Sequence, residues 1–241
     1  GNTGTDQLSV NIIPNPISID LGAPIVATCL DQIPLQADVN GGSGNYNYQW
    51  SAAGTNVSTN ATTTYQTFEN TVVTLSVTDE CGNAATQDVN IFIPPHPIDI
   101  TTSPDTAVCV GESVLLHADA TGGVGNLTYV WESDATHSQD YALTATNSAI
   151  YQILVVDQCL NQSTSNVLVQ AENVVPMFST NMLGDNLFEL TNASEGAATY
   201  FWTFSDGYST SNIDVTHAFT TTEDWNVTLY ATSPLGCTKA I

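Results

Sequence analysis

The residues able to do covalent or acid–base chemistry in this 241-residue chain are few. There are five cysteines, four histidines and 24 Asp or Glu, against a single Lys or Arg. The cysteines are Cys29, Cys81, Cys109, Cys159 and Cys237, and no Cys-x-x-Cys spacing of a zinc or dithiol site is present. In an acidic, repetitive chain they read as extracellular disulfides. The histidines are His96 in a proline-rich stretch, His117 on a strand pattern, His137 in a polar loop, and His217. None has a nucleophile placed beside it by a motif. The adjacent carboxylates Asp79-Glu80 and Glu223-Asp224 are poorly arranged for acid and base roles, because neighbours on a strand point to opposite faces. Gly41-Gly42-Ser43-Gly44 lacks the lysine of a phosphate-binding loop. No catalytic activity is therefore expected, and no cofactor.

Two ligand classes stay open. Calcium takes carboxylates and carbonyls, and Asp20, Asp99, Asp79, Glu80, Asp157 and Asp185 are its candidate ligands, although no EF-hand or nonapeptide motif is present. Sugar stacking is open to Tyr46, Tyr48, Tyr65 and Tyr208. The plainer readings are solvated turn acids and core-filling tyrosines.

The formal net charge is −23, and the one cation is Lys239. Nucleic acid is excluded as a partner, because phosphate binding needs clustered Lys and Arg. Docking on an anionic membrane is excluded for the same reason, and no apolar run is long enough for membrane insertion. Surface polarity comes instead from 34 Thr and 21 Asn, which favour strands and turns. With 42% hydrophobic residues the chain has material for packed cores.

The positioning elements show in an internal repeat. Cys29, Leu35-Gln36-Ala37-Asp38, Gly41-Gly42-Ser43-Gly44, Tyr48, Trp50 and Asp79-Glu80-Cys81 recur as Cys109, Leu115-Leu116-His117-Ala118-Asp119, Gly122-Gly123-Val124-Gly125, Tyr129, Trp131 and Asp157-Gln158-Cys159. The offset is about 80 residues, the size of one small domain. A more divergent third copy carries Tyr200-Phe201-Trp202, Val227-Thr228-Leu229 and Gly236-Cys237. Alternation predicts strands over 72–77, 89–93, 113–120, 150–156 and 227–231. No segment keeps a helical period. Short strands with one Trp per unit predict an all-β fold: tandem immunoglobulin-like β-sandwich domains in an elongated array, with Trp50, Trp131 and Trp202 in the cores. Trp225, beside the last core strand, is a candidate for exposure. The expected divisions are 1–13, the last strand of a preceding domain; 14–95 and 96–173, two Ig-like repeats; and 174–241, a third domain whose last strand is missing. A window on a longer array explains such a phase. A sharper alternative has residues 7–13 completing the third domain of a neighbouring copy by strand addition.

Two disulfide pairings suit this organisation. Pairing within repeats joins Cys29 to Cys81 and Cys109 to Cys159. Each bond would close about 50 residues, contribute about 4 kcal/mol on the chain-entropy model, and leave Cys237 over. In a sandwich, however, Cys29 precedes the second strand and Cys81 follows the sixth, at opposite ends and too far apart for one bridge. An offset pairing, Cys29 with Cys159 and Cys109 with Cys237, is slightly preferred. Cys81 would then bond to a preceding domain.

The third unit resembles a PKD (polycystic-kidney-disease-type) domain. Trp202-Thr203-Phe204-Ser205-Asp206-Gly207 resembles that family's Trp-x-Phe-Gly-Asp-Gly signature, with Ser205 where Gly is usual. Ser209, His217, Phe219 and Val227-Thr228-Leu229 fall at its later positions. The first two units are similar to Cys-bearing Ig-like repeats of large Bacteroidetes surface proteins, such as gliding-motility adhesins of the type IX pathway. The Gly-Gly-x-Gly run before Tyr48 and Trp50 and the Asp-x-Cys hairpin carry that likeness. The resemblance implies secreted, surface-displayed, repetitive proteins of adhesion, motility or appendages, without catalysis. Asp105-Thr106-Ala107 is similar to the O-glycan acceptor of that phylum, which makes Thr106 a glycosylation candidate.

The functional expectation is a non-enzymatic structural segment of a secreted, repetitive adhesin or filament, acting as a disulfide-stapled stalk and self-associating into a homo-oligomer or filament. The alternatives are a module that binds glycan or a surface, and an accessory region of a secreted hydrolase. With no cations available for salt bridges, self-association must rest on apolar contact, strand pairing, disulfides, divalent ions or salt screening.

Overall fold

The computed structural model describes residues 4, 6–9, 15–132, 137–220 and 224–241. Among them every regular element is a strand, and the chain is a tandem of all-β, Ig-like sandwiches. The predicted alternating segments lie within the strands Thr71–Asp79, Ala84–Phe92, Ser113–Gly122, Ala149–Val156 and Val227–Thr232, except that Ile93 falls just past its strand. Most of residues 1–13, and Glu223 of the acid pair, lie outside the described residues; Asp6–Ser9 belong to no strand. Contacts divide the chain into two compact units. The first runs up to Pro97 and takes in Gly123–Asn126 and Asp157–Asn161. The second comprises Ile98–Gly122, Leu127–Val156 and Gln162–Ile241.

In the first unit a five-stranded sheet runs in the order Ile25–Val26, Ala84–Phe92, Thr71–Asp79, Tyr46–Ala52, Thr55–Ser58. Only Ile25–Val26 pairs in parallel. The facing layer is two antiparallel pairs, Ser18–Asp20 with Asp38–Asn40 and Ile33–Gln36 with Thr62–Tyr65. The two-residue period turns Val73, Leu75 and Val77 inward, onto Trp50, Ile33, Leu35, Val89 and Ile91. Trp50 is fully buried, and its indole N–H donates to the Asn60 carbonyl at 3.0 Å. Truncating a side chain of that size in a core costs about 3–5 kcal/mol.

The second unit holds two sandwiches. In one, Ile98–Thr102, Ser113–Gly122 and Asp140–Thr144 face the sheet Thr106–Cys109, Gln162–Glu172, Ala149–Val156, Thr128–Trp131. Trp131, Leu116, Ile153, Val155, Val167 and Val169 fill its core. In the other, Phe178–Gly184, Leu187–Asn192 and Val215–Ala218 face Ser209–Thr210, Thr199–Phe204, Val227–Thr232 and Thr238–Ala240. Trp202, Leu190, Phe204, Val215, Phe219 and Leu229 fill that core, and Trp202 donates to the Asn212 carbonyl at 3.0 Å. Residues Thr238–Ala240, where the sequence reading expects no last strand, pair antiparallel with Tyr230–Thr232. Gly196, at φ +74°, shows why the chain needs glycine there: a Cβ would lie 2.1 Å from the Asn173 carbonyl oxygen.

Candidate functional site

The cysteines sit on turns that the strand period itself builds. Val73, Leu75 and Val77 point inward, so the next inward position of that strand is Asp79, which is 3% exposed. The same progression in the next repeat is Ile153, Val155 and Asp157, and in the third Leu229, Ala231 and Ser233. A carboxylate placed at the rim of a core must be fully hydrogen-bonded, and both are. Asp79 Oδ1 accepts the Cys81 and Asn83 backbone N–H groups at 3.0 and 2.8 Å. Its Oδ2 accepts Ser43 N–H at 2.9 Å and the Asn83 side-chain amide at 2.8 Å. Asp157 repeats the set with Cys159 and Asn161 N–H, both at 2.8 Å, Val124 N–H at 2.7 Å and the Asn161 amide at 2.9 Å.

These donors set the charge state. The Asn83 side-chain amide, joined by three backbone N–H groups against a desolvation cost, holds Asp79 below the usual aspartate range. At Asp157 burial pushes upward, and hydrogen bonds from Asn161, Val124 and Cys159 together outweigh it, so this carboxyl is lowered as well. Reading Asp79 and Asp157 as solvated turn acids therefore misses their burial. Strict alternation through to the Asp was the available signal.

The third hairpin differs. Ser233 takes the aspartate's place, 4% exposed, and its Oγ accepts Cys237 N–H at 3.1 Å. Its cysteine is the fifth residue of the hairpin, where Cys81 and Cys159 are the third. Cys237 is accordingly buried, in a cluster with Val174 and Ala231 on which Cys109 packs.

The structure joins Cys29 to Cys159, with Cα atoms 5.6 Å apart, inside the first unit, and Cys109 to Cys237, 5.5 Å apart, inside the second. The within-repeat bonds are not formed. Cys81 is a free, exposed thiol. Both partner cysteines lie on turns closed by an acid. Asp31 accepts Thr28 N–H at 2.7 Å, making Cys29 the second residue of its turn. Glu112 accepts Cys109 N–H at 2.9 Å, making Cys109 the first. Beside the second bond, Leu235 N–H donates to Glu172 at 3.2 Å and Lys239 donates to Asn173 at 2.9 Å.

The remaining candidates disperse. The calcium set is not assembled, since no group of three or more His, Cys, Asp or Glu suited to a metal occurs among the described residues. Asp79 and Asp157 spend their lone pairs on N–H donors, Asp20 accepts Gly22 N–H at 2.8 Å, Glu80 accepts the Asn45 amide at 2.7 Å, and Asp99 and Asp185 are exposed on separate segments. Tyr46, Tyr48 and Tyr65 pack against the first core. Tyr208 stacks on His217 instead. His117 faces solvent between Asp140 and Asp119; the hydrogen bond to Asp140, then that to Asp119, raises its pKa. His217 Nε2 meets Asp206 Oδ2 at 2.6 Å inside an aromatic cage of Phe204, Tyr208 and Phe219. Tyr208 N–H and then His217 hold Asp206 low. His96 is half-buried and His137 exposed. Thr106 begins an edge strand, half-buried, while Asp105 accepts Leu168 N–H at 2.8 Å. Trp225, half-buried, stacks on Phe219 at 4.8 Å and lines a groove of about 270 Å³ with Thr180, Phe188 and Asp224.

Comparison with known families and structures adds to this geometry. The PKD domain model matches residues 160–241. No curated protein matches the chain. Among solved structures, an I-band fragment of titin is similar at 11% identity, covering 93% of this chain and 96% of its own, with a TM-score of 0.44. Three N-terminal domains of the highly immunogenic outer capsid protein of bacteriophage RB49 are similar at 14% identity, covering 94% of each chain, with a TM-score of 0.38. A 1.5-MDa bacterial ice-binding adhesin is similar at 14% identity, covering 95% of this chain and 96% of its own, with a TM-score of 0.38. The PKD match, the sandwiches and the two disulfides fit a structural or adhesive extracellular segment. Folds of these kinds are typically non-catalytic.

Proposed function

We propose that this chain is a stretch of a secreted, repetitive cell-surface adhesin or extracellular appendage of the Bacteroidetes kind, working as a disulfide-stapled stalk built from three sandwich repeats. One observation carries the reading: each disulfide links the opening turn of one repeat to the hairpin of the repeat after it, over sequence separations of 130 and 128 residues. Such bonds resist unfolding and contribute nothing to a reaction. The acidic surface, with its single cation already hydrogen-bonded to Asn173, supports a soluble coat rather than a charged interface. Self-association into a homo-oligomer or filament is part of the same proposal. Electron-microscopic imaging of the native particle tests it: fibres or bundles are expected, and isolated monomers would overturn it. Loosening on removal of salt and divalent ions would assign the assembly contacts to screened charge.

A second reading, a glycan-binding module, is favoured by the groove at Trp225 and Asp224, which offers an aromatic face and an acceptor together. Glycan-array binding that disappears in Trp225→Ala would move the proposal to this reading, and an empty array would remove it.

A further inference from the structure

Cys81 and Cys159 stand on the same hairpin. The residues Asp79-Glu80-Cys81-Gly82-Asn83 and Asp157-Gln158-Cys159-Leu160-Asn161 share all four hydrogen bonds to the aspartate, and the following residue is at positive φ in both, +81° at Gly82 and +64° at Leu160. One of the pair is already bonded, Cys159 to Cys29, while Cys81 is exposed and free. This bonded twin, independent of loop shape, says what ligand the hairpin takes.

The two disulfides further say which kind of cysteine fits. A cysteine third in the hairpin (Cys159) meets one second in its turn (Cys29). A cysteine fifth in the hairpin (Cys237) meets one first in its turn (Cys109). The cysteine moves two places along the hairpin turn while its partner moves one place along its own turn, and a disulfide needs Cα atoms about 4.4–6.8 Å apart. Hairpin and turn positions are therefore matched sets. Beside the first bond, Leu30 lies over Gly125, its Cδ1 3.1 Å from where a Cβ would be. Gly44 occupies the same place next to Cys81, with φ +80° against +76°. There the three nearest atoms all belong to the Glu80 side chain of the hairpin itself.

We infer that the Cys81 hairpin is a covalent docking site for the opening turn of another sandwich of this repeat type, and that the turn is of the Cys29 form: a cysteine, an apolar residue that covers Gly44, then the acid that closes the turn. A Cys109-type turn, with its acid three residues after the cysteine, does not fit. The bond forms by two thiol–disulfide exchanges with an oxidised thiol as the oxidant. The Cys81 thiolate displaces one thiolate from the oxidant to form a mixed disulfide. The incoming cysteine's thiolate then attacks the Cys81 sulfur and displaces the second. Two protein thiols lose their protons, and one oxidant disulfide leaves as two thiols.

This rests on the reading of the chain as one stretch of a repeat array. The test is disulfide mapping of the full-length protein taken from its source cells without reductant and with free thiols blocked. The expected result is a Cys81 peptide joined to a peptide whose cysteine is followed two residues later by Asp or Glu. The non-reducing molecular mass then tells whether that turn lies in the same chain or in another copy. Cys81 recovered as a blocked free thiol, capped by a small thiol, or joined to a cysteine whose acid comes three residues later would overturn the inference. Each of those failures would leave the stalk reading intact, because imaging tests that separately.

Discussion

The hairpins at Asp157 and Ser233 occupy the same place in successive sandwiches and solve the same problem differently. In the first, a buried carboxylate collects four N–H donors and leaves its cysteine, Cys159, half-buried at the third position. In the second, a hydroxyl accepts the N–H of Cys237, whose sulfur is packed among Val174 and Ala231. One turn is held by electrostatics and therefore depends on pH. The other is held by a neutral hydroxyl and apolar packing and does not. The difference shows that a repeat can keep a covalent link between the same two elements while exchanging the forces that shape the turn.

Breaking the bonds is the largest test of this contrast. Cys159→Ser and Cys237→Ser should each lower stability by about 2–4 kcal/mol, as removal of a cross-link does, read from denaturant midpoints. Since Ser at 237 also puts a hydroxyl into an apolar cluster, the second variant should lose more; equal losses would erase the distinction. Next, Asp157→Ala strands four donors and should cost about 3 kcal/mol, whereas Ser233→Ala strands one and should cost about 1 kcal/mol. A Ser233→Ala loss as large as that of Asp157→Ala would show that the hydroxyl carries more than its one bond. Gly196→Ala forces a Cβ onto the Asn173 carbonyl and should cost about 2 kcal/mol. A neutral result would mean that the Asn173 backbone gives way.

Acid sharpens the comparison further. Asp79 and Asp157 are lowered in the folded chain, so their stabilisation is present above the ordinary aspartate value of about 3.9 and is lost as pH falls through the lowered one. Corrected for the slower intrinsic exchange in acid, protection of the Cys81 and Cys159 amides should fall as pH drops through the lowered aspartate values, while protection of the Cys237 amide stays level. Smallest is the effect of His117. Its raised pKa gives stability that is fully present below about 6.5 and lost as pH rises through the raised value. His117→Gln should shrink the difference in melting temperature between pH 5 and pH 8, and an unchanged difference would show that its two acid contacts are worth nothing in solution.

Much of the fold was legible because alternation is local. Val72–Val77 and Ile150–Val156 announce their strands with no help from distant residues, and one Trp per repeat marks each core. The hairpin acids were harder. Asp79 continues the inward set of Val73, Leu75 and Val77, yet a charged residue after a strand reads as a solvated turn until its donors are seen. Ser43 and Val124, which supply one donor each, lie 36 and 33 residues away from their acceptors. His117 was legible only as a strand residue; it lies between the buried Leu116 and Ala118 and faces outward, and its Asp140 partner comes from another strand. The register of Cys237 was the least visible feature. Gly236-Cys237 looks like a shifted copy of Cys81-Gly82, and only the pairing of Ser233 with Cys237 reveals the two-residue displacement.

Residue order alone therefore settled the all-β class, the repeat, the buried tryptophans and a surface with almost no cations, since each follows from local period or from composition. It left the cysteine partners as competing sets. A disulfide forms only where two Cα atoms come within about 7 Å, and here those atoms are 128 and 130 residues apart in sequence. Which turns meet is decided by the folded chain and not by local residue order. The tertiary structure thus selected the partners of Cys29 and Cys109, buried the two aspartates, and left Cys81 exposed on a hairpin already shaped for a bond.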